Sequence, residues 1–161
     1  MKKELIEQLY IEYGNALRLY IYSICCDLGL AEELTQETFV KALLSLDSKH
    51  ANLKAWLFKV GKNLTINRLK KDKKILLTDE VEDVLTTEDI PEELISNEKN
   101  KELYEAILKL PQMVKQVLVL KYFSNLSFAR IGEVLGTSPG NARNIAYKAR
   151  KQLRKELEDK Q

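Results

Sequence analysis

The chain has 161 residues, 45% hydrophobic and 31% charged, which suits one ordinary domain or two small ones. No apolar run approaches the ~20 residues of a membrane span, and the charged start is unlike a secretory signal, so we expect a cytoplasmic protein without membrane insertion. Cys25 and Cys26 are adjacent and His50 is the single histidine, which leaves too little material for a stapling disulfide, a metal site or a catalytic triad. No glycine pattern of a phosphate-binding loop is present, and we predict no enzymatic activity, no metal and no cofactor.

The net charge of +2 is distributed unevenly along the chain. Residues 1–74 carry +4, residues 75–100 carry −8 and residues 101–161 carry +6. Two basic segments separated by an acidic one are typical of a nucleic-acid partner. The acidic stretch has neither a clear apolar stripe nor helix caps, so it cannot bury enough surface to offset the entropy of ordering it. We therefore expect two domains, 1–74 and 99–161, joined by an acidic linker over 75–98.

The first part of the chain is predicted to be helical because its apolar residues recur three and four positions apart. Gly29 is expected to separate two helices, and the polar residues 47–52 are expected to form a loop before a third. The periodic positions are Leu5, Leu9, Tyr13, Leu17, Tyr20 and Ile24, followed by Leu34, Phe39, Ala42, Leu43 and Leu46.

A third helix is predicted over residues 53–74, with two contrasting faces. The apolar stripe consists of Leu53, Leu57, Val60 and Leu64. Near the opposite face lie Lys59, Lys62, Asn63, Asn67, Lys70 and Lys74. Lysines and amides beside aromatic rings suit the unstacked bases of a single strand, although we expect Trp56 to pack in the core rather than to stack on a base.

The last part of the chain is predicted to contain a helix-turn-helix. Helices are expected over 99–109 and from Pro111 to about residue 122. A short helix over 128–135 follows, with Ser127 as its N-cap and Gly136 as its stop. Thr137 or Ser138 is expected to cap a long basic helix that reaches residue 154 or beyond, with Pro139 in its first turn.

The long basic helix has the composition of a recognition helix. Its polar residues include Arg143, Asn144, Tyr147, Lys148, Arg150, Lys151 and Arg154, while Ile145, Ala149 and Leu153 form the expected buried stripe. In the major groove, arginine can bond two acceptors of guanine and asparagine can bond adenine, while lysines neutralise phosphates. The simpler alternative is an amphipathic helix whose charges serve only solubility.

Three segments together resemble one protein family. Residues 31–42 read AEELTQETFVKA, residues 55–63 read AWLFKVGKN, and residues 110–127 read LPQMVKQVLVLKYFSNLS and lead into the helix-turn-helix. In this order and at this spacing they resemble the extracytoplasmic-function (ECF) sigma factors, the smallest class of the bacterial sigma-70 family. The resemblance implies an all-α protein of two small helical domains that binds core RNA polymerase, recognises the minus-35 and minus-10 promoter elements and promotes melting of the DNA.

The resemblance also implies roles for individual residues. Core polymerase is expected to bind Glu33, Leu34, Gln36 and Glu37. The minus-10 element is expected to bind Lys59, Lys62, Asn63, Asn67 and Lys70, with Asn63 lining the pocket of an extruded base. The minus-35 element is expected to bind Arg143, Asn144, Tyr147, Lys148 and Lys151. An anti-sigma factor is an expected further partner.

Two departures from the family pattern affect specificity. The loop at 47–52 is shorter than in many relatives, and Ile145 stands where relatives often have arginine, so neither the minus-10 base preference nor the minus-35 sequence carries over. The alternative function is a helix-turn-helix regulator that acts without core polymerase. Such a regulator has no use for the Gln36–Glu37 helix followed by the helix that carries Trp56 and Asn67.

Overall fold

The computed structural model describes residues 2–45, 52–72 and 94–159, and these ranges contain seven helices and no strand. A front module comprises α1 (Lys2–Cys25), α2 (Leu28–Ser45) and α3 (Leu53–Lys71). A rear module comprises α4 (Glu98–Leu108), α5 (Gln112–Tyr122), α6 (Phe128–Leu135) and α7 (Pro139–Asp159). The all-α prediction is confirmed. Of the expected linker, residues 75–93 lie outside the described part, while Ile95 is buried against the core.

The front module is a three-helix bundle with a well-packed interior. Leu17, Ile21, Leu34 and Phe58 are fully buried where α1, α2 and α3 meet. Gly61 allows the close approach of α3 to α1, because a Cβ atom there would lie 2.9 Å from Cδ1 of Leu17. The predicted periodicity therefore accounts for most of this core, although Leu43, one of the periodic positions, is 41% exposed.

The break between α1 and α2 lies earlier than the sequence predicted. Cys26 adopts a left-handed backbone with φ of 57°, and its N–H donates to the carbonyl of Tyr22 at 2.8 Å. Asp27 then caps α2, because its Oδ1 accepts from the Leu30 N–H at 3.1 Å. Gly29 lies inside the first turn of α2, so the expectation that it separates the helices is wrong.

Helix α3 buries a different face from the one predicted. Asn52 caps the helix, with its Oδ1 accepting from the Ala55 N–H at 2.7 Å. Of the expected stripe, Leu57 is buried, whereas Leu53, Val60 and Leu64 are only half-buried. The buried residues are Ala55, Leu57, Phe58, Gly61, Thr65 and Leu69. The face turned inward is rotated because the small residues Gly61 and Thr65 fit closest to the other helices.

The rear module contains the predicted helix-turn-helix, formed by α6 and α7. Ser127 Oγ accepts from the Arg130 N–H, and Ser138 Oγ accepts from the Asn141 N–H. Gly136 ends α6 with φ of 71°, as its position in the sequence predicted. Gly132 is equally constrained, because an added Cβ would lie 2.4 Å from the carbonyl oxygen of Thr137.

The two modules pack directly against each other along a seam of polar contacts. The Tyr20 hydroxyl donates to Oε1 of Gln116 at 2.6 Å, and the Tyr104 hydroxyl donates to the Leu19 carbonyl at 2.5 Å. Lys115 is also buried, only 3% exposed, and desolvation lowers the pKa of its amine. Inter-domain surfaces within one chain are characteristically polar in this way.

Candidate nucleic-acid interface

Four of the five residues assigned to the minus-10 element form one exposed row on α3. They are Lys59, Asn63, Asn67 and Lys70, all of them exposed. Their spacing of four, four and three positions places them on a single side of the helix. This row is called the α3 ridge below. Two amides between two ammonium groups can hydrogen-bond a base edge and neutralise adjacent phosphates.

Lys62, the fifth of these residues, points away from the ridge. It is half-buried, and its Nζ donates to the backbone carbonyl of Val134 in the last turn of α6 at 2.8 Å. Desolvation, followed by the charge of Lys59, lowers the pKa of Lys62. A helix C-terminus favours a cation, so this contact stabilises the seam between the modules.

Trp56 lies beside the ridge at the edge of the hydrophobic core. It lies seven positions before Asn63, which places it on the same side of α3. The indole is half-buried and packs against the hydrophobic core. The interpretation of Trp56 as a packing residue agrees with this placement.

A second exposed row runs along α7. It consists of Asn144, Tyr147, Lys148 and Lys151, and their spacing follows the helical repeat. Tyr147 is 58% exposed, and Nζ of Lys151 lies 4.9 Å from the centre of its ring. We call these four residues the α7 row. Arg143, the fifth residue assigned to the minus-35 element, is exposed and lies one helical turn before Tyr147, at the edge of this row.

Small residues hold α7 against the rest of the rear module. Ala142, Ala146, Ala149 and Leu153 are buried on the side that faces the other helices of the module. Ile145, expected in the buried stripe, is only half-buried. The sequence did not indicate Ala142 and Ala146, because alanine is a weak marker of burial compared with a larger apolar residue.

The residues assigned to core polymerase are divided between a surface groove and the core. Glu33, Gln36 and Glu37 line a groove of about 440 Å³. Leu34 is fully buried and packs inside the bundle, so its side chain is unavailable to a partner. The prediction that Leu34 contacts core polymerase is corrected accordingly. The remaining groove residues, which the sequence reasoning missed, are Val40, Lys41, Leu44 and Leu64.

Exposed apolar side chains lie along this groove. Val40 is 56% exposed and Leu44 is 78% exposed, and both lie on α2. At the groove edge, Glu33 forms an ion pair with Arg68 of α3 at 3.2 Å. We call this groove, which is lined by both apolar and charged side chains, the α2 groove. Grooves that expose apolar side chains are used to bind amphipathic helices.

The described residues hold no group of three or more side chains suited to a metal ion. Cys25 and Cys26 are free thiols, and burial raises the pKa of both, to about 12 for Cys25. Both thiols are therefore protonated near neutral pH and are poor nucleophiles. None of the seven helices, within the ranges described, is long and apolar enough to cross a bilayer.

The chain consists of a helical bundle followed by a helix-turn-helix module. Two known protein families match these two modules. The family described as sigma-70 region 2 matches residues 9–75, and the family described as sigma-70, region 4 matches residues 100–153. The two matches correspond to the front and rear modules and carry the α3 ridge and the α7 row.

Two relatives that align with most of the chain identify its family within the sigma-70 proteins. The chain is 32% identical to the RNA polymerase sigma factor YlaC of Bacillus subtilis, over 96% of this chain and 93% of the relative. It is 34% identical to the ECF RNA polymerase sigma factor SigW of the same organism, over 91% of this chain and 86% of that protein. The chain belongs to the ECF sigma factors of the sigma-70 family.

Solved structures show the same fold. The sigma factor RpoE of Bartonella quintana, in complex with the anti-sigma factor NepR, matches with a TM-score of 0.69 at 22% identity, over 97% of this chain and 98% of that one.

As an ECF sigma factor the chain is a transcription initiation factor with RNA polymerase and promoter DNA as partners, and the alternative of a regulator acting without polymerase is not supported.

Proposed function

We propose that three surfaces of the chain divide the work of initiation. The α2 groove docks on core polymerase, the α3 ridge holds the melted minus-10 strand, and the α7 row contacts the minus-35 duplex. We propose two domains close to the predicted 1–74 and 99–161. Because Glu98 already belongs to α4 and Ile95 is buried, the acidic linker predicted over 75–98 ends before Ile95. The chain works without enzymatic activity of its own, in the cytoplasm where the polymerase acts.

Docking through the α2 groove is supported by its composition. Val40 and Leu44 offer apolar area that gains free energy when a partner covers it. Glu33, Gln36 and Glu37 line the same groove with two carboxylates and an amide, against the single cation of Lys41. A partner helix that carries apolar residues flanked by cations would complement both features.

Single-strand binding by the α3 ridge is supported by the chemistry of Asn63. An exposed amide both donates and accepts, so it can bond the edge of a base that has left the duplex. Lys59 and Lys70 lie on either side of the two ridge asparagines and can neutralise the flanking phosphates. Lys62 contributes to the seam in the free chain, and we assign it to DNA only after the modules separate.

Duplex binding by the α7 row is supported by its position on the second helix of a helix-turn-helix. In this arrangement the early residues of the second helix enter the major groove and later cations contact phosphates. Asn144 lies in the second turn of α7 and suits base contact, whereas Lys148 and Lys151 suit the backbone.

The observation that carries the assignment is the presence of two exposed polar rows on different modules. The separate roles of the α3 ridge and the α7 row are tested with holoenzyme reconstituted from bacterial core polymerase. We expect Asn63→Ala to slow DNA opening, followed by 2-aminopurine fluorescence at the minus-10 element, with closed-complex affinity almost unchanged. Lys148→Ala is expected to weaken the closed complex and leave the opening rate almost unchanged.

Matched variants control for indirect effects. Gln8→Ala removes an exposed amide from the front module and Lys109→Ala removes an exposed cation from the rear module, so neither should alter opening or affinity. Equal effects of Asn63→Ala and Lys148→Ala on both steps would contradict the division of labour. Failure of the chain to bind core polymerase would contradict the docking surface.

An anti-sigma factor belongs to this proposal as a third partner. The solved structures include RpoE with NepR and CnrH with the cytosolic domain of CnrY, at 22% and 20% identity to this chain. We extend this type of partner to the present chain. A genuine anti-sigma factor should compete with core polymerase for the chain in a titration, and binding without competition would exclude that role.

A further inference from the structure

Three helices of the rear module converge on the ring of Phe128. Phe128 is the first residue of α6, directly after the Ser127 cap, and its ring is half-buried. Nζ of Lys121, from the last turn of α5, lies 4.5 Å from the ring centre. The guanidinium carbon of Arg143, from α7, lies 5.6 Å from the same centre. Both distances are within the range of a cation–π contact.

The ring brings together two like charges that no described carboxylate neutralises. Neither Lys121 nor Arg143 forms an ion pair within the described residues, whereas nearby Arg130 pairs with Glu133 at 2.7 Å. Because both cations contact one ring, they lie no more than about 10 Å apart, which suits the same or neighbouring phosphates of one DNA strand. Such a pair is most stable when an anion joins it.

The contact also sets the direction of the Arg143 side chain at the edge of the α7 row. Its side chain leaves the second turn of α7 toward Phe128 rather than alongside Asn144. An arginine free in solution samples many rotamers, and holding it against a ring restricts the directions in which its guanidinium points. A restricted donor discriminates better between acceptors than a mobile one does.

We propose that Phe128 is a positioning residue for DNA recognition, which aims Arg143 at the minus-35 duplex and holds Lys121 beside it as a further backbone-contacting cation. This inference rests on the proposed function of α7. It extends the DNA surface from the recognition helix onto the end of α5 and assigns a role to Lys121, a cation that the sequence did not indicate.

The test measures closed-complex formation by reconstituted holoenzyme on a promoter fragment that this holoenzyme selects from a random library. Phe128→Leu keeps an apolar side chain but removes the ring, and we expect about two- to fivefold weaker binding with reduced discrimination against minus-35 base substitutions. Phe128→Tyr keeps the ring and should retain both affinity and discrimination. A merely structural role would lower the melting temperature without changing discrimination.

Lys121→Gln tests the second cation. We expect the slope of log affinity against log KCl concentration to fall by about 0.9, the value for one lost phosphate contact. Lys109→Gln, which makes the same change of charge at an exposed position of the same module, should leave the slope unchanged. The proposal is overturned if Phe128→Leu discriminates like the unaltered chain, or if the slopes of the two lysine variants agree.

Arg143→Ala and Lys148→Ala separate this inference from the proposed function. If both weaken the closed complex while Phe128→Leu and Lys121→Gln have no effect, only the role of the ring and of Lys121 fails. If none of the four variants matters, the assignment of α7 to the minus-35 element fails with it.

Discussion

Leu44 provides a quantitative test of the α2 groove. Its side chain is 78% exposed at the groove, and complete burial of a leucine contributes about 1.5–3 kcal/mol. If a polymerase helix covers most of that exposed area, Leu44→Ser should weaken binding to core polymerase by about 1–2 kcal/mol, or roughly 5- to 30-fold in Kd. Folding should change little, because the leucine is already largely in water.

Ile11 on α1 is a matched control, since it is 77% exposed and does not line the groove. Ile11→Ser removes a comparable apolar side chain from the same module. Competition against a labelled copy of the chain for core polymerase gives both affinities, and thermal melting verifies that each variant is folded. The reasoning is refuted if Leu44→Ser binds like the unaltered chain, or if Ile11→Ser weakens binding to the same extent.

Two further predictions concern the seam between the modules. Tyr20→Phe leaves Oε1 of buried Gln116 without its donor and should lower the free energy of unfolding by about 1–3 kcal/mol in urea titrations. Adding Gln116→Met to this variant should restore part of the lost free energy. If the effects of the two substitutions on the free energy of unfolding are strictly additive, the contact is excluded. Desolvation lowers the folded-state pKa of Lys115 below 10.5, so the unfolded chain holds the extra proton and stability rises with pH just below that value. Lys115→Met should raise the free energy of unfolding by about 1–3 kcal/mol at pH 7 and should abolish the increase of stability with pH. If the variant keeps the same pH profile of stability, the increase does not come from Lys115.

The sequence predicted most reliably what depends on near neighbours. Ser127 and Gly136 were placed correctly at helix ends, and Ser138 was one of the two predicted caps of α7, because the bonds that end a helix reach backbone groups no more than four residues away. The prediction that Gly29 separates two helices was wrong, because Asp27 is the N-cap of α2 and glycine is tolerated in the first turn of a helix. Local signals therefore establish that a helix ends, while the choice between adjacent signals depends on which one finds a partner.

Features that depend on distant residues were beyond the sequence pattern. Leu34 belonged to the predicted apolar series and is buried among α1, α2 and α3, so the error lay in the polymerase contact that the resemblance implied and not in the sequence pattern. Lys62 resembles its ridge neighbours in sequence, yet its partner Val134 lies 72 positions away. The groove residue Leu64 was expected in the core, because helical spacing alone does not distinguish the centre of an apolar stripe from its edge.

The circumference of α3 explains how one helix serves three purposes. Leu57, Gly61 and Thr65 face the bundle core, which fixes the orientation of the helix. Lys62 lies at the edge of that buried face and reaches α6, so the seam uses a side chain next to the core rather than one from the ridge. The α3 ridge, centred about 100° further round at Asn63, consequently remains exposed while the two modules are packed together. A substitution at Lys62 should therefore alter the seam first, and a substitution at Asn63 should leave the seam intact.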